Sequence, residues 1–192
     1  KNNNYNSLQN NNFKNTIKNY KNIKFKSLAN SMGIALGKLF HYDLTRAGIA
    51  LYGGHYNTKL KNKIKPVIKL KAEILQIKKI KKNEYIGYNQ TYRTKNTITI
   101  AILGIGYADG ISRKLSNIGH VFYKNKKFKI IGRVSMDSIT IDISNHNNAL
   151  KNGMFLEIIN YKYDIEKFAI KSGTISNEIL TSISKRVKRI YI

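Results

Sequence analysis

The stretch Val67-Ile68-Lys69-Leu70-Lys71-Ala72-Glu73-Ile74 alternates apolar and charged residues over most of its length. This alternation is typical of a half-buried β-strand. After Gly54, similar short runs of Ile, Val, Tyr and Thr recur between Gly, Asn and Asp turns. They predict strands at residues 66–77, 84–88, 97–103, 120–123, 126–134, 138–143 and 155–159. Short strands with regular turn signals predict an antiparallel sandwich or barrel, followed by helices at residues 164–171 and 176–185.

The residues before Gly54 follow a different pattern. Residues 1–12 are rich in Asn and predict a loop or frayed end, and residues 13–22 predict a short helix. Strands are expected at residues 23–28 and 41–46, and a glycine-bounded turn at 48–54. Between the strands, Asn30 or Ser31 is a suitable N-cap for a helix that continues through residues 34–39. Alternating strand and helix indicate a parallel α/β layer, so we place a domain boundary between Gly54 and Lys65.

The composition excludes several classes of protein. The chain has 192 residues, of which 42% are hydrophobic, and this supply of apolar side chains excludes disorder throughout. It has no Cys and no apolar run long enough for a membrane span or a signal peptide, so a cytoplasmic protein is expected. Its four His residues stand in unrelated contexts, and we expect no metal site. The chain begins with Lys1, which suggests a fragment of a longer protein.

The net charge is strongly positive, with 35 Lys and Arg against 10 Asp and Glu, or +25. One interpretation is a basic β-domain that binds RNA or another polyanion. However, only six of the basic residues are Arg, the side chain that planar recognition of phosphate and guanine favours. Widely spread Lys, with abundant Asn and Ile, is what AT-biased coding produces. We therefore prefer coding bias as the explanation of the charge.

Two local motifs could bind an anion. Arg46-Ala47-Gly48-Ile49 follows a predicted strand and opens a turn, and a glycine there lets backbone N–H groups approach an anion. A routine strand-end Arg before a tight turn explains the same residues equally well. Ser31 is similarly open to two interpretations, as a helix cap or as a phosphate ligand. Spacing alone does not assign a function to either motif.

Six motifs, in this order, resemble those of the pyridoxal-phosphate-dependent alanine racemases of bacteria. They are Ser27-Leu28-Ala29-Asn30-Ser31, Tyr42-Asp43-Leu44-Thr45-Arg46-Ala47-Gly48-Ile49-Ala50-Leu51-Tyr52-Gly53, Gly87-Tyr88-Asn89-Gln90-Thr91-Tyr92, Gly104-Ile105-Gly106-Tyr107-Ala108-Asp109-Gly110, Gly132-Arg133-Val134-Ser135-Met136-Asp137 and Gly173-Thr174-Ile175-Ser176-Asn177-Glu178-Ile179-Leu180. The resemblance covers about residues 24–191. It implies interconversion of L-alanine and D-alanine for peptidoglycan.

The resemblance also implies an architecture. Residues 1–57 would be the last two βα units of an incomplete N-terminal α/β barrel that binds pyridoxal phosphate, and residues 58–192 a complete, mostly β C-terminal domain. Members of this family work as homodimers in which the C-terminal domain of one subunit completes the active site on the barrel of the other. The resemblance implies alanine as the substrate and no membrane partner, and it makes a nucleic-acid partner the weaker alternative.

The resemblance assigns roles to individual residues. Tyr88 matches the catalytic tyrosine that exchanges the α-proton on one face of the substrate, while a barrel lysine works on the other face. Arg46 matches the arginine that faces the pyridine nitrogen of the cofactor, which stays unprotonated because a guanidinium does not readily give up a proton. The remaining matches are Ser31, Gly48 and Ile49 for the phosphate, the backbone of Met136 for the substrate carboxylate, and Tyr107, Arg113 and Arg133 for the corridor through which the substrate enters.

The chain departs from the family pattern at several positions. Asn177 stands where most members have a Tyr that contacts the phosphate, and Lys188 stands where Pro is common. Asn89 replaces the usual Gly after the catalytic Tyr, but Asn also adopts the left-handed conformation, so the turn is expected to survive. No Lys of the chain lies in a context that matches the barrel lysine that binds the cofactor. We therefore expect these residues alone to be inactive.

Overall fold

Most of the alternating stretch, from Leu70 to Ile74, lies in the longest strand of the described chain. In the computed structural model, which describes residues 4–56 and 59–192, strand β1 spans Leu70–Ile80. Residues at its start alternate between buried and exposed, as predicted. Its first half pairs antiparallel with Phe155–Ile159, and its second half pairs antiparallel with Ile98–Leu103. A bulge between Ile74 and Gln76 bends the strand as its pairing changes from one neighbour to the other.

The antiparallel sheet closes into a barrel, so of the two predicted architectures, sandwich and barrel, the barrel is confirmed. The strands are β1 (Leu70–Ile80), β2 (Tyr85–Ile86), β3 (Tyr92–Arg93), β4 (Ile98–Leu103), β5 (His120–Tyr123), β6 (Lys126–Lys129), β7 (Ile139–Asp142) and β8 (Phe155–Ile159). The order in the sheet is β6-β5-β8-β1-β4-β7. Its two end strands meet where Ile130 bridges Ile141, and Ile131 N–H donates to Thr140 O at 2.9 Å. Strands β2 and β3 form a separate hairpin.

The inward faces of the barrel strands form one apolar core. Ile74, Leu103, Val121, Ile141 and Leu156 are fully buried in it. Two helices cover this core, α3 (Ile165–Ser172) and α4 (Ser176–Ser182), as predicted, with the second ending three residues earlier than expected. They contribute the buried side chains Phe168, Ala169 and Ile179 to the same cluster. Burial of alternate residues therefore accounts for the β-rich unit.

The structure changes the bounds of several predicted strands. Those at residues 120–123 and 155–159 match β5 and β8. The strand expected at 126–134 ends at Lys129, because the chain then crosses to β7 and enters the turn at Gly132, which has φ +74°. The first predicted strand begins at Leu70 rather than at residue 66. The sequence pattern did not predict β3, which has only two residues.

The two compact units of the chain divide between Val67 and Ile68. In the first unit the prediction for residues 1–12 is wrong over its described part, because α1 spans Asn4–Lys18; residues 1–3 lie outside the described residues. Tertiary contacts overrode the weak local pattern: Asn10 is buried and accepts a 2.5 Å hydrogen bond from the Tyr42 hydroxyl, and the ring of Phe13 meets that of Tyr42 edge-on. In the described residues, no helix combines the length and apolar character needed to cross a membrane.

A helix after Asn30 is confirmed, but it ends at Leu36 and not near residue 39. Helix α2 spans Ser31–Leu36, and the Asn30 side chain caps it by accepting from Met32 N and Gly33 N, both at 3.0 Å. The predicted strands at residues 23–28 and 41–46 are wrong as elements, because neither segment forms a regular strand. One parallel bridge, from Asn30 to Arg46, stands in place of a continuous ladder. The parallel direction of this bridge agrees with the predicted α/β layer.

The barrel unit has a histidine that should make its stability depend on pH. Burial, which has the largest effect, and the positive charges of Lys127, Lys171 and Lys129 together lower the pKa of His120 from 6.5 to about 4. The unfolded chain therefore binds a proton between about pH 6.5 and pH 4 that the folded chain does not. We expect this contribution to stability to be complete above pH 6.5 and to be lost as the pH falls toward 4.

Urea unfolding at about pH 7 and about pH 4.5, with His120→Gln as the comparison, measures this contribution. The variant should lose less stability than the native chain over that interval, because glutamine does not titrate. An equal loss in both proteins would show that His120 is not responsible for the pH dependence.

Candidate active site

The buried hydroxyl of Ser31 joins the start of α2 to the turn that follows Arg46. Ser31 is 4% exposed, and its Oγ accepts from Gly48 N at 2.9 Å and from Ala50 N at 3.3 Å. A hydroxyl has two acceptor lone pairs and one donor. Because the oxygen already accepts from two N–H groups, the O–H of Ser31 remains available to donate a hydrogen bond to a ligand. The structure therefore brings together Ser31, Gly48 and Ile49, which begins the 3-10 helix Ile49–Tyr52.

The space beside this turn is open. No heavy atom outside the neighbouring residues lies within 4 Å of the point where a Cβ on Gly48 would stand. A ligand can therefore approach the backbone of Gly48 and the Ser31 hydroxyl closely. Such an approach suits an anion with several acceptor oxygens, because backbone N–H groups and a hydroxyl are donors.

Neutral oxygens hold the guanidinium of Arg46. One terminal nitrogen donates to Ser27 O at 3.1 Å and to Ser27 Oγ at 2.6 Å, and the other donates to Leu28 O at 3.4 Å. Arg46 N–H also donates to Ala29 O at 2.8 Å. Within residues 4–56 and 59–192, no salt bridge to Arg46 is present. The side chain is thus oriented without loss of its positive charge, and it has N–H donors to spare.

In the β-rich unit, Tyr88 projects from the turn of the β2–β3 hairpin and is 69% exposed. Asn89 has φ +58° and ψ +22°, so the expectation that it would adopt the left-handed conformation is confirmed. A Cβ on Gly87, where φ is +77°, would lie 2.8 Å from the backbone nitrogen of Arg133. The Tyr88 turn therefore packs backbone against backbone on the turn that contains Arg133.

The turn at residues 132–137 also packs on the turn that carries Tyr107. Tyr107 N–H donates to Ser135 O at 2.9 Å, and Ala108 N–H donates to Met136 O at 3.0 Å. Gly106 has no room for a side chain, because a Cβ there would overlap the carbonyl group of Met136. These contacts occupy the carbonyl of Met136. In the part of the chain that the structure describes, no protein acceptor takes the Met136 N–H.

Two arginines lie next to these turns. The guanidinium of Arg113 lies over the ring of Tyr107, 5.9 Å from its centroid. The Nε of Arg133 is buried and has no hydrogen-bond partner among the described residues. An unsatisfied buried donor is costly unless a ligand or another surface supplies an acceptor. The contacts thus bring the turns that carry Tyr88, Tyr107 and Met136 together with both arginines.

Sequence reasoning missed several residues that position these turns. Asn117 accepts from Gly132 N at 2.7 Å and donates to Thr91 O at 3.4 Å, so it ties the Met136 turn to the end of the Tyr88 turn. Arg186 forms ion pairs with both Asp109 and Asp137. Asp109 and Asp137 belong to the quoted motifs, but a partner so distant in the sequence leaves no local signal.

The departures from the family pattern lie at the surface. Asn177 is exposed in the first turn of α4, and Lys188 is exposed near the C-terminal end. Helix α4 still forms with Asn177 in its first turn and spans Ser176–Ser182, and Lys188 lies beyond its end.

In the described ranges 4–56 and 59–192, no three His, Asp or Glu side chains form a cluster suited to a metal ion.

Comparison with known proteins relates both units to a single family. The model for the alanine racemase N-terminal domain matches residues 1–56, and the model for the alanine racemase C-terminal domain matches residues 67–191. The alanine racemase of Rickettsia akari is 45% identical over 98% of this chain and 51% of its own length. That of Brucella ovis is 41% identical over 86% of this chain and 46% of its own length.

Solved structures give the same relation. The crystal structure of alanine racemase from Bartonella henselae with covalently bound pyridoxal phosphate has a TM-score of 0.92 and 39% identity, and it covers 99% of this chain. The biosynthetic alanine racemase from Pseudomonas aeruginosa has a TM-score of 0.88 and 26% identity, over 100% of this chain. The matches span 53% and 54% of those two chains. The chain thus spans about half the length of its relatives, and the comparisons do not favour the polyanion-binding alternative.

Proposed function

The chain belongs to the alanine racemase family, and on that premise we propose that it forms part of a pyridoxal-phosphate-dependent enzyme that interconverts L-alanine and D-alanine. One observation carries this proposal. Three turns that are distant in the sequence pack together and present Tyr88, Tyr107 and Met136 at the surface, each of them about half exposed or more. A proton-transfer group, an aromatic wall and a free backbone donor are what a small amino acid requires for binding and reaction.

The first unit fits the phosphate-bearing cofactor of this family. Its donors are the Ser31 hydroxyl, the Ile49 N–H, which has no protein acceptor among the described residues, and the spare N–H groups of Arg46. The Gly48 N–H is taken by Ser31 Oγ, and Gly48 leaves the turn open to a ligand. When bound, pyridoxal phosphate would supply an electron sink that makes the α-proton of the amino acid easier to remove. Ser31 and the turn would hold the phosphate. Arg46 would donate a hydrogen bond to the ring nitrogen and keep its own proton, because a guanidinium is too weak an acid to release it.

Tyr88 would transfer the α-proton at its phenol oxygen. An ordinary phenol has a pKa of about 10, so a tyrosine base near neutrality needs a positive neighbour and little water. Its exposure in this chain means that another surface must exclude the water. We infer that this surface is the barrel of a second subunit in a homodimer with a shared active site.

The other turns would bind and guide the substrate. The N–H of Met136 would donate to the alanine carboxylate, since its carbonyl is already taken by Ala108. Arg113 and Arg133 would attract the same carboxylate along the corridor lined by Tyr107. In the cell, we propose a cytoplasmic enzyme that supplies D-alanine for peptidoglycan.

The direct test uses the purified holoenzyme that contains this chain. L-alanine should be converted to an equal mixture of the two enantiomers, and removal of pyridoxal phosphate should stop the conversion. Failure to form D-alanine, together with nucleic-acid binding that persists at physiological salt, would reject this function in favour of polyanion binding.

Ser31→Ala in the holoenzyme tests the proposed phosphate site. The change removes both the hydroxyl donor and the acceptor that orients Gly48 N–H and Ala50 N–H. Cofactor affinity should fall by about 10-fold to 150-fold, because a hydrogen bond to a charged group contributes roughly 1.5–3 kcal/mol. Ser7→Ala is the matched control, since Ser7 is exposed on α1. Equal cofactor dissociation constants in the two variants would remove Ser31 from the site.

A further inference from the structure

Arg186 lies outside the turns that carry the proposed substrate contacts, yet it is bonded to two of them. Its Nε lies 3.3 Å from Asp109 Oδ1, and a terminal nitrogen lies 2.6 Å from Asp137 Oδ1. Asp109 ends the 3-10 helix Tyr107–Asp109, and Asp137 directly follows Met136. One guanidinium thus bridges the Tyr107 turn and the Met136 turn. We call these three residues the Arg186 bridge.

Asp109 connects the bridge to the interior. It is 7% exposed, and its second carboxylate oxygen accepts from Gly106 N at 2.9 Å. Gly106 is the residue that packs without clearance on the carbonyl of Met136. A movement of Asp109 would therefore displace Gly106 and, through it, the hydrogen bonds from Tyr107 and Ala108 to the Met136 turn.

The segment that carries Arg186 is itself held against the Tyr107 turn. Ser184 N–H donates to Asp109 O at 3.4 Å, and a Cβ on Gly110 would lie 2.6 Å from Ser182 O. The hydrogen bond from Arg186 to Asp137 raises the pKa of the arginine, and the charge of Asp109 adds to this effect. The guanidinium of Arg186 therefore keeps its positive charge.

We propose that Arg186 is a positioning residue that sets the spacing between the Tyr107 ring and the Met136 N–H, and thereby the alignment of the substrate carboxylate. It acts through Asp109 and Asp137 and does not touch the substrate. This inference rests on the proposed racemase function for its substrate. An arginine suits the task because its planar fork reaches two carboxylates at once, whereas a lysine ammonium is a single point charge.

The test compares Arg186→Gln, Arg186→Lys and Asp137→Asn with the control Lys185→Gln, which removes a cation from the same segment. In the holoenzyme, Arg186→Gln should raise KM for alanine about tenfold and change kcat by less than about threefold, because alignment of the carboxylate is lost while the proton-transfer group remains. Asp137→Asn should act in the same direction. Arg186→Lys should recover part of the loss, and Lys185→Gln should have no effect on either constant.

Hydrogen exchange supplies a second readout that does not depend on activity. In Arg186→Gln, the amides of Tyr107 and Ala108 should exchange about tenfold faster, whereas the amide of Ile141 in the barrel ladder should keep its protection. Faster exchange at all three amides would mean general destabilisation and would overturn the positioning role. So would kinetic constants that match those of Lys185→Gln. If the native holoenzyme does not racemise alanine, the proposed function fails, and the exchange of Tyr107 and Ala108 alone decides whether Arg186 aligns the turns.

Discussion

Replacing Tyr88 with Phe should lower the rate of racemisation by about 100-fold to 10,000-fold, the range expected when a general acid–base group is lost. The substitution removes one oxygen atom from a side chain that is 69% exposed. The turn depends on the backbone of Gly87 and Asn89 and not on the phenol, so its shape should persist. Cofactor affinity should also persist, because Tyr88 does not belong to the proposed cofactor site.

The diagnostic measurement is incorporation of solvent deuterium, starting from each enantiomer of alanine. If Tyr88 works on one face of the substrate and a lysine on the other, exchange should become strongly asymmetric in the variant. Tyr85→Phe is the matched control, because Tyr85 lies on the same hairpin and contacts Arg93 through its ring. Undiminished exchange from both enantiomers in Tyr88→Phe would show that Tyr88 has a different role.

The alternation of apolar residues was sufficient to predict most of the barrel. Strands with one buried face carry a period of two in their sequence, and β5, β7 and β8 therefore lie within a residue of their predicted bounds. The α/β unit was harder to predict, because its segments depend on tertiary contacts. The hydrogen bond between Asn10 and Tyr42 joins residues 32 positions apart, and nothing in the Asn-rich sequence around Asn10 indicates a buried position.

In the candidate site, too, some residues could be predicted from the sequence and others could not. Local motifs contain the residues that would touch cofactor and substrate, because such contacts need particular side chains next to particular turns. The Arg186 bridge could not be predicted, since Arg186 and Asp137 lie 49 positions apart and either residue is ordinary in its own context. The role of Asn117 as a link between Thr91 and Gly132 could not be predicted for the same reason, since both partners are distant from it in the sequence.

The 192-residue chain on its own should form no D-alanine and should retain no pyridoxyl group on any single lysine after borohydride reduction. In the family that it resembles, a barrel lysine binds the cofactor, and no lysine of this chain stands in a matching context. The described residues of the first unit contain no regular β-strand, whereas an α/β barrel closes with eight. Apolar side chains of the first unit are accordingly left without cover: Leu39 is 64% exposed, Leu44 53% and Leu51 66%.

The two units should therefore behave differently in the isolated chain. The amides of residues 4–56 should exchange rapidly and that segment should be cut first by protease, whereas residues 68–192 should stay protected, because their sheet closes on itself and has its own core. The experiment adds pyridoxal phosphate to the purified chain, reduces with borohydride, locates pyridoxyl-lysine by mass spectrometry and assays racemisation in parallel. Scattered substoichiometric labelling without turnover is the expected result, since exposed lysines react weakly with any aldehyde. A full equivalent on one lysine, accompanied by D-alanine, would mean that a cofactor lysine lies within these residues after all.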